Sequence, residues 1–293
     1  MKHLIIEISF IVCCCSLYAS PQVSDFLIIE KDTIPVYNLI LENYLQQIEK
    51  PDKGRLFGFS FRDGENMSFS CWRGYQAVYS LENDSLFLKY ILPCHSLRNI
   101  STHIDSSIEK IKNIFNDKVV NGKVFIDWFS NIIAFPRGKQ IWWDGIFNSI
   151  YDREEIYIFE KGILSDKRNV KNYQKVKGGI SRTNNKVISN AIFQKVKKLD
   201  WKKLDNLDII CDSEYFIVID EKGKISNIEI NTYGNPFDED DLYCMDVMKK
   251  QLQNLQFDII KWHGEPMKTE FRFEIFYDDK TNQLENWAKY DDG

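Results

Sequence analysis

The sequence predicts an α+β protein, in which a mostly antiparallel β domain with flanking helices precedes a small C-terminal ββαββ domain. Aromatic residues, which favour strands, are abundant, with 20 Phe, 14 Tyr and 7 Trp among 293 residues. Short alternating apolar runs recur along the chain, and a few segments with helical spacing separate them. With 44% hydrophobic and 28% charged residues, the composition is that of a chain that buries a core rather than a disordered one.

The first residues are typical of an export signal. Lys2 and His3 precede an apolar stretch from Leu4 to Tyr18, so we expect a signal peptide over residues 1–20. An uncleaved anchor and a lipid-modified cysteine within residues 13–15 are the alternatives, although Glu7 interrupts a run that is short for a membrane span. The predicted location is the periplasm or the cell envelope, with membrane contact only through this N-terminus.

Four cysteines follow the signal, two in each half of the chain: Cys71, Cys94, Cys211 and Cys244. An even number in an exported protein permits disulfides, and four cysteines allow three pairings. Pairing within each half, Cys71 with Cys94 and Cys211 with Cys244, is the interpretation we favour. Four buried free thiols are the alternative.

Residues 24–165 are predicted to form the β-rich domain. Apolar residues three or four positions apart predict two helices, one through Val36, Ile40, Tyr44 and Ile48 and one through Ile104, Ile108, Ile111 and Phe115. Pro35 suits the first turn of the earlier helix. The expected strands are RLFGFSFR, YQAVYSL, SLFLKYIL, KVFIDWF, NIIAF and EEIYIFE.

A change in charge separates the two halves. Lys and Arg outnumber the acids between residues 161 and 203, and acids predominate from 201 to 280. Residues 166–185 are polar and basic and contain Gly178-Gly179, so they are predicted to be an inter-domain linker. Residues 186–280 form the second predicted domain, and residues 281–293 form a frayed polar tail.

The second domain begins with a short amphipathic helix through Ile188, Ile192, Val196 and Leu199. YFIVID and KISNIEI are predicted strands joined across Glu221-Lys222-Gly223. A helix follows, with Asn235 as its cap, Pro236 at its first position and the acids at 238–241 near its positive end. Its expected apolar stripe is Leu242, Met245, Met248, Leu252 and Leu255.

Two more strands, FDIIKW and MKTEFRFEIFY, are predicted around a Gly264-Glu265-Pro266 turn, with Trp262 packed beside it. His263 has neither a nucleophile nor a second metal ligand near it in the sequence. In the last strand, alternation places Phe271, Phe273, Ile275 and Tyr277 on one side and Glu270, Arg272 and Glu274 on the other.

The order and spacing of these motifs over about residues 205–278 resemble the C-terminal domain of TonB-type proteins. Gly223, Phe257, Gly264 and Pro266 occupy the positions that the family pattern requires. The resemblance implies binding of an extended peptide of an outer-membrane or envelope protein by strand addition to an exposed sheet edge. That edge would comprise Glu270, Phe271, Arg272, Phe273, Glu274 and Ile275. The chain lacks the long Pro-rich spacer of that family.

The N-terminal half resembles a bacterial domain of unknown function in two segments, CWRGYQAVYSLENDSLFLKYI and GKVFIDWFSNIIAFPRGK. This resemblance implies no activity.

Motifs for catalysis and cofactor binding are missing from the sequence, which contains no G-x-S-x-G, P-loop or G-x-G-x-x-G. Cys94, His95 and His103 match no common metal-site spacing. The acids at 238–241 are interpreted as a helix start, and Glu154-Glu155 as a solvated strand edge. We therefore predict no catalytic residues, cofactor or metal. The net charge of −5 does not favour nucleic acid.

Three functions remain open at this point. The first is a non-enzymatic exported protein that binds an envelope protein or peptide. The second is an envelope-associated carbohydrate-binding protein that uses an aromatic platform of Trp72, Tyr75, Trp128, Trp142 and Trp143. The third is an enzyme of unrecognised type, which would require polar residues converging in a cleft near His95, His103 or Arg73.

Overall fold

A computed structural model describes residues 22–48, 68, 70–144, 148–205, 209 and 211–287. The fold is mixed α+β with 42% strand and 25% helix, so the predicted α+β class is confirmed. The predicted signal peptide and the predicted strand over 55–62 lie outside the described residues.

The described part of the first half contains two helices, α1 (Ile40–Ile48) and α2 (Ile104–Phe115), and two short 3₁₀ turns at Leu97–Thr102 and Asn116–Lys118. Its strands are β1 (Asp25–Ile29), β2 (Asp32–Val36), β3 (Tyr75–Glu82), β4 (Ser85–Pro93), β5 (Val119–Val120), β6 (Lys123–Phe125), β7 (Ile132–Pro136), β8 (Gln140–Trp143), β9 (Ser149–Tyr151), β10 (Arg153–Glu160) and β11 (Ile163–Lys171).

The second half contains the helices α3 (Asn185–Val196), α4 (Trp201–Asp205) and α5 (Glu239–Leu252). Its strands are β12 (Tyr173–Gln174), β13 (Glu214–Ile219), β14 (Ile225–Ile230), β15 (Ile259–Trp262), β16 (Glu265–Pro266), β17 (Thr269–Asp278) and β18 (Gln283–Asn286).

The large sheet of the first half has the strand order β2-β1-β3-β4-β11-β10-β7, and β6 also pairs with β4. Its pairings are antiparallel apart from the parallel pairing of β1 with β3. The sheet curls so that its two end strands approach each other: the side-chain amide of Asn38 after β2 donates to the carbonyl oxygen of Ile132 on β7 at 2.7 Å. Buried residues of α1, α2 and the inner face of the sheet form one core.

The helix predicted from Val36 onward starts later than expected. Residues 32–36 are the strand β2, and α1 begins at Ile40 after Leu39, which has a φ of 50°. Pro35 is tolerated in β2 because this strand lies at the end of the sheet, where a missing N–H removes no ladder bond from a further strand.

The segment predicted as a linker is largely built into the fold. Strand β11 runs on to Lys171 and pairs with β10 along its length. Lys167, Arg168 and Lys171 point to solvent, so the basic composition reflects exposed side chains and not an unstructured backbone. Strand β12, two residues later, pairs with β15 of the second half.

The second half is built on a sheet with the order β14-β13-β17-β18. Helices α3, α4 and α5 and the apolar side chains of the sheet form a second core. Residues 283–286, predicted to lie in a frayed tail, form β18 and pair with Ile275–Asp278 of β17. That part of the tail prediction is therefore wrong, because Leu284 packs against the second core and anchors the strand.

Helix α5 begins later than the sequence analysis expected. Asp238, and not Asn235, is its N-cap, and Asp238 and Asp241 form a reciprocal capping box. The buried face is Cys244, Met248 and Leu252, whereas the predicted stripe residue Leu242 is exposed. The i, i+4, i+8 spacing from Cys244 sets this face, and Leu242 lies outside it.

Both disulfides join the cysteines that were expected to pair, Cys71 with Cys94 and Cys211 with Cys244. The second disulfide fastens α5 to the segment before β13. Among the described residues, no helix has the length and apolar character needed to span a membrane.

Candidate functional site

The six residues of the predicted binding edge all lie on β17. The predicted alternation is present: Phe271, Phe273 and Ile275 are buried in the second core, and Glu270 and Arg272 are exposed on the opposite face. On that face the Arg272 guanidinium forms an ion pair with Glu214 of β13. The period-two alternation of the sequence therefore predicted correctly which of these β17 side chains are buried and which are exposed.

Strand β17 lies between two neighbours. On one side, β13 pairs with residues 269–274. On the other side, β18 pairs with Ile275–Asp278, and the backbone N–H of Trp287 donates to the carbonyl oxygen of Glu274 at 2.9 Å. The side of β17 that faces away from β13 is thus already in contact with the chain's own C-terminal segment from Glu274 onward.

Side-chain contacts also hold β18 in place. The rings of Phe276 and Trp287 stack with centroids 4.7 Å apart, and Leu284 packs on the second core. The amide of Asn286 donates to the Ser189 hydroxyl of α3 at 2.8 Å. The β17–β18 ladder joins four residue pairs, and short ladders at the edge of a sheet are among the elements that open locally in proteins.

A second candidate site is a groove of about 180 Å³ in which four separate segments meet. The end of β2 and the outer face of β7 form one side, with Tyr37 at the rim. Tyr151 and Glu154 come from β9 and β10, and Trp262 and His263 come from the β15–β16 hairpin. The groove therefore forms at the seam where the large sheet curls toward closure.

Glu154 and His263 pair within this groove. Glu154 Oε2 lies 3.2 Å from His263 Nδ1, and Glu154 Oε1 accepts from the backbone N–H of Tyr151 at 3.2 Å. The side chain of Glu154 is 2% exposed and that of His263 is 20% exposed. A carboxylate in this position holds the proton of a neutral imidazole on Nδ1, which leaves Nε2 as an acceptor.

The turn that carries His263 is fixed by its backbone and by one buried asparagine. His263 and Gly264 both have positive φ, 50° and 92°, as two-residue hairpin turns of type I′ require. The turn thus lies one residue earlier than the predicted Gly264-Glu265-Pro266, because Glu265 and Pro266 already pair in β16.

Asn172, which is fully buried between β11 and β12, positions this hairpin. Its side-chain oxygen accepts from the backbone N–H of Gly264 at 2.9 Å, and its side-chain nitrogen donates to the carbonyl oxygen of Tyr151 at 3.0 Å. Its own carbonyl oxygen accepts from Lys261 N–H at 2.8 Å. One side chain thus connects the end of β9 to the hairpin. This connection fixes the geometry of the groove.

The predicted aromatic platform is not assembled. Trp128 stacks on Phe115 and makes a tilted contact with Tyr44 at the first core, and Tyr75 is buried. Trp142 instead packs edge-on against Trp262, with the ring centroids 6.5 Å apart, while its neighbour Trp143 is 41% exposed. The aromatic residues that do line a groove include Tyr37, Tyr151 and Trp262, which sequence reasoning did not combine.

Three of the candidate metal-ligating side chains have structural roles. Cys94 is in a disulfide, and Asp238 and Asp241 cap α5. Among the described residues, no group of three or more His, Cys, Asp and Glu side chains is arranged to hold a metal ion.

Arg73 lies inside the first core and not in a cleft. Its Nη1 donates to Asp25 Oδ1 at 2.8 Å, and Asp25 Oδ2 accepts from the Tyr79 hydroxyl at 3.2 Å. Burial lowers the pKa of Arg73, but the facing carboxylate and its neighbours raise that pKa, and the net value is above the ordinary one. This arrangement is a buried structural ion pair closed to solvent.

Sequence reasoning missed the Glu154–His263 pair because its members are 109 positions apart. The Glu154-Glu155 dipeptide was interpreted as a solvated edge, which is right for Glu155, whose partner is the exposed Arg137. It is wrong for Glu154, since successive residues of a strand point to opposite faces and the hairpin covers one of them. The sequence did contain one signal for the hairpin, the dipeptide His263-Gly264, because glycine readily adopts the positive φ of a two-residue turn.

Comparison with known proteins assigns no family: no family model, no curated protein and no solved structure matches the chain.

Proposed function

We propose that this chain is a non-enzymatic exported protein of the cell envelope whose C-terminal sheet binds an extended peptide at the outer side of β17. The observation that carries the proposal is the position of β18, an extended segment held against that side in antiparallel register. A partner peptide would bind in the same manner and displace β18 as it does so.

The construction of β17 supports strand addition. Its apolar side chains point into the second core, so the strand is held in place while a partner pairs with its outer side. Glu270, Arg272 and Glu274 on the opposite face offer charged contacts that would select among peptides. Main-chain pairing would supply affinity, and these side chains would supply specificity.

The two disulfides support the exported location, because disulfides persist in oxidising compartments and are rare in the cytosol. The resemblance of residues 205–278 to the C-terminal domain of TonB-type proteins points to an envelope protein as the partner. The chain's own β18 would then act as a stand-in for that partner until it binds.

The test uses the full chain and a labelled synthetic peptide with the sequence of residues 281–287. In one variant, Leu284→Asp removes the apolar anchor of β18 and opens the edge. In the other, Phe276→Cys with Glu285→Cys links two directly paired, exposed residues and locks β18. We expect the peptide to bind the Leu284→Asp chain most tightly, the wild type more weakly, and the oxidised locked chain not at all.

A control cystine between Phe216 and Glu229 links the β13–β14 pair and leaves β18 untouched, so it should bind peptide as the wild type does. In the wild type, the tethered β18 competes with the added peptide for the outer side of β17 at an effective concentration of about 1 mM. The opened chain should therefore bind the peptide at least about tenfold more tightly than the wild type. Equal binding by the opened and the locked chains would contradict the proposal.

A further inference from the structure

We propose that the groove between Tyr37, Tyr151, Trp262 and His263 is a binding site for one neutral sugar ring of a glycan. This inference is independent of strand addition at β17, because the groove lies at the seam of the large sheet and includes no residue of β17 or β18.

The charges around the groove exclude anionic ligands. Glu154 and His263 are the titratable acid and base among its described lining residues, and no Lys or Arg lines it. Nothing there would neutralise a phosphate, a sulfate or a uronic acid carboxylate, which proteins bind with Arg, Lys or clustered N–H groups.

A cationic ligand is also disfavoured. The Glu154 carboxylate is almost fully buried, and both its oxygens are engaged, one by the Tyr151 N–H and one by His263. What faces the groove is the imidazole of His263, whose Nε2 is an acceptor when Glu154 holds the proton on Nδ1. A hydroxyl group is the matching donor, since it is neutral and can also accept in return.

The aromatic residues supply the apolar contacts that a sugar ring needs. Tyr37 is 46% exposed at the rim, and Tyr151 and Trp262 are half-buried deeper in the groove. Aromatic side chains that combine an apolar face with a polar tip suit a ligand with both C–H faces and hydroxyls. Burial, together with Tyr37 and Glu154 nearby, raises the pKa of Tyr151, so this phenol keeps its proton and can donate.

The size of the groove favours a single ring. Its volume of about 180 Å³ lies below the roughly 300–1,000 Å³ of sites for drug-sized molecules. The fixed hairpin turn and the buried Asn172 hold its walls, so little conformational entropy is lost on binding. An open groove on the surface also allows the sugar to be one residue of a longer glycan.

The experiment titrates the full chain with methyl glycosides of glucose, galactose, mannose and N-acetylglucosamine, followed by ligand-observed NMR. Methyl glucuronide and choline chloride serve as anionic and cationic probes. We expect at least one neutral glycoside to bind and neither charged probe to bind. Binding should weaken about threefold to tenfold in Tyr37→Ala and by a similar factor in His263→Asn, which keeps the turn but removes the imidazole.

Tyr233→Ala is the matched control, because Tyr233 is an 85% exposed tyrosine in the loop between β14 and α5 and should leave sugar binding unchanged. The proposal is overturned if no neutral glycoside binds, if choline or the glucuronide binds in preference, or if Tyr37→Ala and His263→Asn both bind like the wild type. Peptide binding at β17 would be unaffected by any of these outcomes.

Discussion

His263 Nδ1 lies 3.2 Å from Glu154 Oε2, although the two residues are 109 positions apart in the chain. The contact joins the β15–β16 hairpin of the second half to β10 of the first. Because Glu154 is buried and His263 is half-buried, we expect the pair to contribute to stability as well as to the groove.

We expect Glu154→Ala to lower the free energy of unfolding by about 1–3 kcal/mol, since it leaves a partly buried backbone N–H and an imidazole without their acceptor. Glu155→Ala is the matched control. Glu155 pairs with an exposed arginine, so its loss should cost less than about 1 kcal/mol. Urea denaturation of both variants measures the difference, and equal midpoints would show that the Glu154 contacts add nothing.

Gly223 and Gly234 both have a positive φ, 72° and 91°, but only Gly223 lies close to another part of the chain, so substitutions at the two positions can be compared. A Cβ at Gly223 would lie 2.2 Å from the carbonyl oxygen of Phe257, whereas a Cβ at Gly234 meets nothing within 4 Å. Gly234→Ala should cost about 1–2 kcal/mol from backbone strain alone. Gly223→Ala should cost about 1–3 kcal/mol more, because the backbone must also move. Thermal unfolding measures the difference, and equal melting temperatures for the two variants would contradict the prediction.

The two disulfides should differ in their susceptibility to reduction. Cys94 is partly exposed, whereas Cys211 and Cys244 are both buried. We expect a mild thiol reductant to open Cys71–Cys94 first, because attack requires access to a sulfur atom. Alkylation followed by mass spectrometry reports the order. Replacing Cys211 and Cys244 by serine should cost about 3–4 kcal/mol, the value expected for a loop of this length.

Stability should fall in alkaline solution because of buried tyrosines. Burial is the main cause that raises the pKa of Tyr79 and of Tyr215 above the ordinary value of 10.0. Below pH 10 both states of the protein keep these protons and the stability is complete. Above pH 10 only the unfolded chain ionises, so each tyrosine removes about 1.4 kcal/mol per pH unit.

The check is the unfolding free energy measured as pH is raised, beside the tyrosinate absorbance. Tyr215→Phe should make the alkaline decline shallower by one such contribution. At neutral pH it should cost about 0.5–1.5 kcal/mol for the lost hydrogen bond to the Cys211 carbonyl oxygen. A decline as steep as that of the wild type would count against the account of Tyr215.

The parts of the fold that depend on local pattern could be predicted from the sequence. The alternation along β17 gave the correct buried face, and the isoleucine spacing located α2. Charge and composition were less informative about backbone structure, because a run of charged residues indicates exposed side chains and not whether the backbone is paired. Lys167 and Arg168 were taken as linker residues, yet they are exposed side chains of a paired strand.

The candidate sites depend on long-range pairing that no local pattern specifies. Strand β18 has a polar sequence, and its apolar anchor Leu284 gains significance only when β17 and the second core are in place. The groove is similar, because Tyr37, Tyr151 and Trp262 come from three segments that meet only when the large sheet curls. Asn172 gives no sign in the sequence that it joins two of these segments.

The most direct test of strand addition is residue-resolved amide hydrogen exchange of the Leu284→Asp chain, with and without an excess of the peptide of residues 281–287. The account predicts slower exchange along the outer side of β17, between Glu274 and Asp278, where β18 pairs in the wild-type chain. It predicts no change along β14, the strand at the opposite end of the same sheet. Protection that appears along β14, or at no strand of this sheet, would contradict it.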